Sequence, residues 1–353
     1  MDKNTNYKRQ SSIELLRIIA MIGIFISHWS VHGVKVFNYA GQDYLRNTIF
    51  TSLHMLGKIS VDIFVIITGY FSLKDKFEFK FKKIFSIVFQ VLTYSILWFG
   101  IEIILYLTGN IEYDWNTFSA TLFPFFSFGY WFMVVYLALL LFSPFLNTLI
   151  NNITQKQHFT MLVGLFIMIF ILSLIGSGEW YNFFGLFIFL YSVGAYLKKY
   201  GISAKLSVRN SVVMFAIFFL VSVLSIPILI ACKKNQALLI EQNSFLVFGS
   251  ALSLFLIFIQ LKFHSKTINT ISKTMFGIYL LHDGIFRSIL WRLLQTSKYT
   301  IFSNPSELIL NLLLSTIIIF GFGILFELLR INTLEKITNK LIDNILEKKQ
   351  TKE

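Results

Sequence analysis

The stretch Ser12–His32, SIELLRIIAMIGIFISHWSVH, is apolar along most of its length but carries Glu14 and Arg17 near its start and His28 further along. A charged residue at the centre of a membrane-spanning helix costs roughly 2.5–3.5 kcal/mol on insertion scales, so such residues usually face the bundle interior or a water-filled cavity. Because Arg17 and His28 are 11 residues apart, they fall within about 20° of one helix face and about 16.5 Å apart along its axis. The stretch therefore predicts a spanning helix that turns a guanidinium and an imidazole toward the protein interior.

The composition of the 353-residue chain excludes a soluble globular domain. Hydrophobic residues make up 56%, aromatic residues 17% and charged residues 14%, and the mean hydropathy is +0.69. The formal net charge of +13 is spread over short runs between apolar stretches, which argues against a nucleic-acid-binding surface. Cys232 is the single cysteine, so an intramolecular disulfide is excluded. The sequence predicts an all-α polytopic membrane protein.

Ten apolar stretches approach the length of roughly 20 residues that a spanning helix needs. Gly57 and Lys58 interrupt the second, which is also compatible with a short interfacial helix followed by a span, and residues 121–128 are compatible with a re-entrant segment. We expect a bundle of about ten transmembrane helices forming one membrane domain over residues 1–331. The predicted spans are 12–33, 47–72, 84–108, 129–150, 159–176, 181–199, 210–231, 243–262, 272–294 and 306–329.

The distribution of positive charge predicts the orientation of the bundle. With the amino terminus inside, 22 of the 31 lysines and arginines lie in or beside inner segments and seven lie on the outer side. This bias follows the positive-inside rule, so we expect a multi-pass plasma-membrane protein with both termini in the cytoplasm. Residues 332–353 are highly charged, and their apolar spacing predicts an amphipathic helix on the inner surface. The apolar positions are Ile337, Leu341, Ile342, Ile345 and Leu346.

The first inner loop contains the basic run KDKFEFKFKK, residues 74–83. One interpretation is an anchor for anionic membrane lipids. The other is that the run also attracts an anionic cytoplasmic substrate, with Lys82 and Lys83 as the candidate contacts nearest the membrane.

His28 is the candidate general base. A lone histidine on an apolar helix can be a core residue with satisfied hydrogen bonds, but here Arg17 shares its face and His32 follows one turn later. A neutral imidazole whose other nitrogen is held by a carboxylate is a competent base near neutral pH. Asp62, in the sequence SVDIF, is a candidate for that orienting carboxylate, although an aspartate near the end of a span can also cap a helix.

Arg17 allows two interpretations. It can be a snorkelling residue paired with Glu14 at i,i+3, or it can present a fixed fork of donors to phosphate or to a thioester oxygen. The chain contains no GxSxG, HExxH or GxxxxGK[ST] motif. We therefore expect direct transfer assisted by one base, with no covalent serine intermediate and no metal.

Four segments in order resemble the acyltransferase-3 family of bacterial integral-membrane acyltransferases. The first is Arg17 followed after ten residues by His28, and the second is VDIFVIITGYF, in which Thr68 stands where the family usually has serine before glycine. The third is GYWFMVVYLALLLFSP, residues 129–144, and the fourth is ISKTMFGIYLLHDGIF, residues 271–286. The resemblance covers about residues 10–330.

This resemblance implies a function that the residues alone do not. It implies acetyl-coenzyme A or another acyl-coenzyme A as donor, His28 as catalytic base and Arg17 as a donor-site or gating residue. It also singles out His282 as a site or cavity-lining residue. The implied acceptor is a hydroxyl of a cell-surface or lipid-linked polysaccharide of the cell envelope, with membrane lipids as further partners. Two alternatives remain open: acylation of a small cytoplasmic molecule, and a non-enzymatic glycan exporter or flippase.

Overall fold

The computed structural model describes residues 9–112, 114–125, 130–175, 182–201, 206–284 and 287–350. Within these ranges all regular structure is helical, which confirms the all-α prediction. The helices are α1 Ser11–His28, α2 Tyr44–Ser72, α3 Phe81–Leu107, α4 Trp115–Leu122, α5 Trp131–Asn152, α6 Gln155–Phe166, α7 Leu172–Ile175, α8 Phe183–Tyr200, α9 Val208–Ala231, α10 Phe245–Gln260, α11 Lys266–Ile271, α12 Met275–His282, α13 Arg287–Leu293, α14 Pro305–Asn332 and α15 Leu334–Gln350. A π-helical turn, Trp29–Gly33, extends α1, and another, Ile167–Ile171, joins α6 to α7.

Seven helical segments of the described chain are long and apolar enough to cross a membrane. They comprise α1 with its π-helical turn, α2, α3, α5, α6 with α7, α9 and α14. The shorter α8 and α10 coincide with two further predicted spans. The chain is therefore a multi-pass membrane protein. Residues 126–128 of the predicted re-entrant segment lie outside the described residues, and α4 ends before them.

The predicted span at residues 272–294 differs most from the structure. It is broken between α12 and α13, because Asp283 is extended and Gly284 has a φ of +95°. This region of backbone conformation is open to glycine at little cost. The break places a carboxylate between two short helices within the bundle.

The second predicted span is one continuous helix, α2, despite Gly57 and Lys58. A side chain at Gly57 would collide with Ser27 of α1, so the glycine permits close packing of the two helices. Lys58 Nζ lies 2.8 Å from Glu241 Oε2, which compensates its charge. The chain therefore forms one helix here, and not an interfacial helix followed by a separate span.

The helices α1 and α2 occupy the centre of the bundle, whereas α9 and α14 expose apolar side chains along their outer faces. Contact between α2 and α8 depends on Gly69 of the TGY segment, where a Cβ would collide with the backbone of Tyr191. The tail forms α15, which packs on α3 and α14. Lys82 Nζ of α3 pairs with Asp343 Oδ1 of α15 at 2.7 Å. This packing leaves a cavity between the central helices.

Candidate active site

A cavity of about 670 Å³ lies between the central helices. Helix α1 contributes Arg17, Met21, Ile24 and His28, which recur at the spacing of one helix face. The shared orientation of Arg17 and His28 is therefore as the sequence predicts. Other lining residues come from α2, α3, α5, α12, α14 and the start of α15, together with the turn before α12.

Cationic residues gather at the end of the cavity where α1 begins, which we call the Arg17 end. Arg17 Nη1 lies 3.8 Å from Glu14 Oε2, and Arg9 Nη1 lies 3.9 Å from the same oxygen. Ser272 Oγ donates a hydrogen bond to that oxygen at 2.5 Å, which fixes the carboxylate. Arg17 Nε is buried without a hydrogen-bond partner among the described residues. Glu14 thus orients the Arg17 guanidinium without using all of its donors. The cationic lining residues are Arg9, Arg17, Lys83, Lys273 and Arg330.

The two adjacent lysines predicted to contact a donor have different surroundings. Lys83 lines the cavity, and its Nζ donates a hydrogen bond to Tyr136 Oη at 3.1 Å. Lys82 instead pairs with Asp343 of the tail helix. Thr68 Oγ1 lies 3.3 Å from the same Tyr136 oxygen, so the hydroxyl of the TGY segment also faces the cavity.

Arg330 and Lys80, which lies near the lining residue Lys83, are both constrained by their neighbours. Arg330 pairs with Glu327 at 2.8 Å and with Glu335 at 2.7 Å, so its charge is largely compensated. Lys80 lies in the loop before α3, with its Nζ 3.5 Å from the carbonyl oxygen of Ser72. Burial and, to a lesser extent, the nearby Lys83 cation lower the pKa of Lys80 to about 8. The amine therefore titrates in the neutral to mildly alkaline range.

The opposite end, which we call the His28 end, contains an imidazole and a carboxylate. His28 Nδ1 lies 4.0 Å from Asp283 Oδ1, and both atoms are buried without a hydrogen-bond partner in the part of the chain that is described. Arg287 Nη1 lies 3.6 Å from the same oxygen of Asp283. The His28 side chain is 18% exposed. Because Nδ1 is buried, this exposure arises from the other atoms of the side chain.

The structure places the two other predicted site residues around this pair in different ways. His282 is fully buried behind His28, with 5.2 Å between the ring centroids, and its Nδ1 donates a hydrogen bond to the Ile278 carbonyl at 2.6 Å. Asp62 is also buried, and its carboxylate accepts a hydrogen bond from Gln242 Nε2. The structure thus corrects the suggested pairing, because Asp62 bonds to Gln242 while Asp283 lies beside His28.

Asp283 is the site residue that the sequence analysis missed. It follows IYLLH directly and falls within the predicted span 272–294. An ionisable residue at that depth is itself a signal of function. The glycine that follows it indicates the helix break that turns the carboxylate inward.

The fold and this cavity define an integral membrane protein that can receive an anionic ligand at one end and accept a proton at the other. A family model described as an acyltransferase domain, that of the acyltransferase-3 family, matches residues 10–328, and the chain belongs to this family. It is therefore a membrane acyltransferase. Comparison with curated proteins and with solved structures found no significant match.

All four segments that carry the resemblance contribute to the cavity. Val61, Phe64 and Thr68 come from the second segment, and Tyr136 comes from the third. Tyr279 and Asp283 come from the fourth segment. The sequence features of the family therefore converge on one space in this protein.

Proposed function

We propose that the protein transfers an acetyl or other short acyl group from acyl-coenzyme A to a hydroxyl of a cell-surface or lipid-linked polysaccharide. The observation that carries this proposal is that Arg17 and His28 line the same cavity, with the cationic residues gathered around Arg17. A phosphate-bearing donor and a proton acceptor can therefore act within one site.

The Arg17 end suits the nucleotide part of the donor. Guanidinium groups bind phosphate through charge-assisted, often bidentate hydrogen bonds, and Arg17 retains a buried donor with no partner among the described residues. The separation of about 16.5 Å along α1 between Arg17 and His28 suits an extended arm rather than a compact ligand. The pantetheine arm would thus carry the thioester toward His28.

The chemistry at the His28 end needs one proton carrier. The acceptor hydroxyl gives its proton to His28 as its oxygen attacks the thioester carbonyl carbon. A carbon–oxygen bond forms, the carbon–sulfur bond breaks, and the coenzyme A thiolate takes up the proton held by His28. Enclosure within the bundle strengthens polar contacts to the thioester oxygen as negative charge develops.

The charge distribution supports a cytoplasmic donor and an acceptor on the outer side. The start of α1 and the end of α14 lie at the Arg17 end, and the positive-inside rule assigns that end to the cytoplasm. The nucleotide of the donor then enters from the cytoplasm, while the sugar approaches His28 from the other side of the plasma membrane.

The decisive experiment compares surface polysaccharide from a deletion strain and a complemented strain by NMR. We expect polysaccharide that reaches the surface without ester acyl groups in the deletion strain. Polysaccharide trapped inside the cell would instead indicate an exporter or flippase. Inside-out vesicles supplied with labelled acetyl-coenzyme A and candidate acceptors test the remaining alternative, because label in a small soluble product would identify a cytoplasmic acceptor.

A further inference from the structure

We infer that Asp283 is a positioning residue for His28, whose carboxylate holds the imidazole with its proton on Nδ1 and leaves Nε2 free to receive the acceptor's proton. This inference rests on the proposed function and deepens it. It assigns a role to a residue outside the Arg–His pair on α1.

The two atoms that would bond are both buried and face each other. His28 Nδ1 and Asp283 Oδ1 are 4.0 Å apart, and each lacks a hydrogen-bond partner within the described ranges. Buried polar atoms in folded proteins are nearly always paired. A closer approach of about 1 Å would bring the pair to normal hydrogen-bond distance. Catalytic hydrogen bonds are often long in the ligand-free protein and tighten once substrate is bound.

The fold holds Asp283 at this position through the break after α12. Gly284 packs against the ring of Tyr130, and a Cβ there would lie 2.6 Å from Tyr130 Cζ. Tyr130 Oη in turn donates a hydrogen bond to the carbonyl oxygen of Leu280 at 3.0 Å. The residue that directly precedes α5 therefore supports the turn that presents Asp283, so the carboxylate is not on a free loop.

The neighbouring groups leave Asp283 as the acceptor best placed for His28 Nδ1. His282 also faces the His28 ring, and because its Nδ1 donates to the Ile278 carbonyl, its buried Nε2 is an acceptor. That nitrogen is neutral, however, and a carboxylate is the stronger hydrogen-bond acceptor. The His32 ring also lies beside His28, with ring centroids 5.4 Å apart. Arg287, 3.6 Å from Asp283 Oδ1, balances the charge of the carboxylate. An anionic acceptor for the Nδ1 proton fixes the tautomer with Nε2 as the base.

The test replaces each buried aspartate by asparagine in the full-length protein. Asp283→Asn keeps the size of the side chain, but its amide can donate to Nδ1, which favours the proton on Nε2 and removes the base. We expect kcat to fall roughly 10–100-fold, less than the loss of the base itself, while KM for acetyl-coenzyme A stays unchanged. Asp62→Asn is the matched control, because Asp62 bonds to Gln242, and it should preserve kcat.

A spectroscopic readout separates positioning from a structural role. In protein labelled with ¹⁵N-histidine and studied in lipid bilayers, the His28 signals, assigned by their loss in His28→Ala, should show the Nδ1–H tautomer in the wild type. They should change in Asp283→Asn but not in Asp62→Asn, and Asp283→Glu should recover the wild-type signals and part of the activity.

The inference would be overturned by normal kcat in Asp283→Asn, by unchanged His28 signals in that variant, or by an equal loss of kcat in Asp62→Asn. A rise in the acceptor KM alone would also overturn it, because Asp283 would then bind the acceptor. Its failure is distinguishable from failure of the proposed function. An inactive His28→Ala with a fully active Asp283→Asn defeats only the inference, whereas an active His28→Ala defeats the proposed function.

Discussion

The Arg17 end and the His28 end of the cavity differ in how their charged and polar groups are partnered. At the Arg17 end, carboxylates lie beside several of the cations: Glu14 contacts Arg17 and Arg9, and Glu335 contacts Arg330. At the His28 end, one imidazole nitrogen and one carboxylate oxygen are buried without a hydrogen-bond partner within the described chain, although Arg287 lies 3.6 Å from that oxygen. The Arg17 end therefore holds oriented positive charge at an accessible rim. The His28 end holds buried polar atoms that can still form a hydrogen bond during the reaction.

This difference assigns a distinct task to each end. Cations at an accessible rim attract and hold an anionic ligand, but screening by salt limits what each one contributes. Buried polar atoms act in a low-dielectric environment, where each hydrogen bond made during the reaction counts for more. We therefore expect substitutions at the His28 end to reduce turnover and substitutions at the Arg17 end to weaken donor binding.

The largest effect is expected for His28→Ala. Loss of a general base typically costs 10²–10⁴-fold, so acyl transfer from labelled acetyl-coenzyme A in isolated membranes should fall by about that factor. Alanine is well tolerated in a helix, and equal protein levels should be found by immunoblot. His32→Ala, one turn further along, is the control and should retain most of the activity. Equal losses in both variants would contradict a specific role of His28 as the general base.

An intermediate effect is expected for Arg17. Hydrogen bonds to charged groups contribute about 1.5–3 kcal/mol, so Arg17→Ala should raise the donor KM by about 10–100-fold. Arg17→Lys should restore little of this, because lysine keeps the charge but loses the planar fork of donors. Steady-state kinetics with varied donor concentration measures the effect. Near-normal KM in Arg17→Lys would show that Arg17 acts as a charge or as a partner of Glu14.

A smaller effect separates the two neighbouring lysines. Lys83 lines the cavity, so Lys83→Ala should raise the donor KM by about fivefold, the equivalent of roughly 1 kcal/mol for a partly exposed charge. Lys82 pairs with Asp343, so Lys82→Ala should match Asp343→Asn and leave the donor KM unchanged. A KM that rises equally for both lysines would instead indicate that the whole basic run receives the donor.

The smallest effect concerns pH. The pKa of Lys80 is lowered to about 8 by burial, so its positive charge is present below that pH and is lost as the pH rises to 9. The donor KM should therefore increase between pH 7 and pH 9, by less than about threefold because rim charges are screened. Lys80→Arg, which stays charged, should remove this increase. An identical pH profile in the variant would exclude Lys80 from donor attraction.

The sequence was sufficient for features that depend on local periodicity. The arrangement of Arg17 and His28 on one face of α1 follows from the number of residues per helical turn, and the structure places both in the cavity. Apolar length likewise predicted the helical bundle. These features need no knowledge of which helices are neighbours.

Features that depend on contacts between distant segments cannot be predicted from local sequence patterns. From the sequence, Asp62 is a candidate to orient His28, but in the structure Gln242, from the segment between α9 and α10, donates a hydrogen bond to this carboxylate. Asp283 reaches His28 from the other end of the chain, through a helix break that Tyr130 and Gly284 hold together. Both contacts, Asp62 with Gln242 and Asp283 with His28, arise from the packing of segments that are distant in sequence, so periodicity within one helix does not predict them.

The most direct test of the division between the two ends is the binding of a non-hydrolysable acetyl-coenzyme A analogue to purified protein in lipid nanodiscs. Binding isotherms for the wild type, Arg17→Ala and His28→Ala should be measured on the same preparations that are assayed for turnover. We predict that Arg17→Ala weakens binding at least about tenfold, whereas His28→Ala binds the analogue like the wild type although it does not turn over. Loss of binding in His28→Ala, or normal binding in Arg17→Ala, would contradict the account.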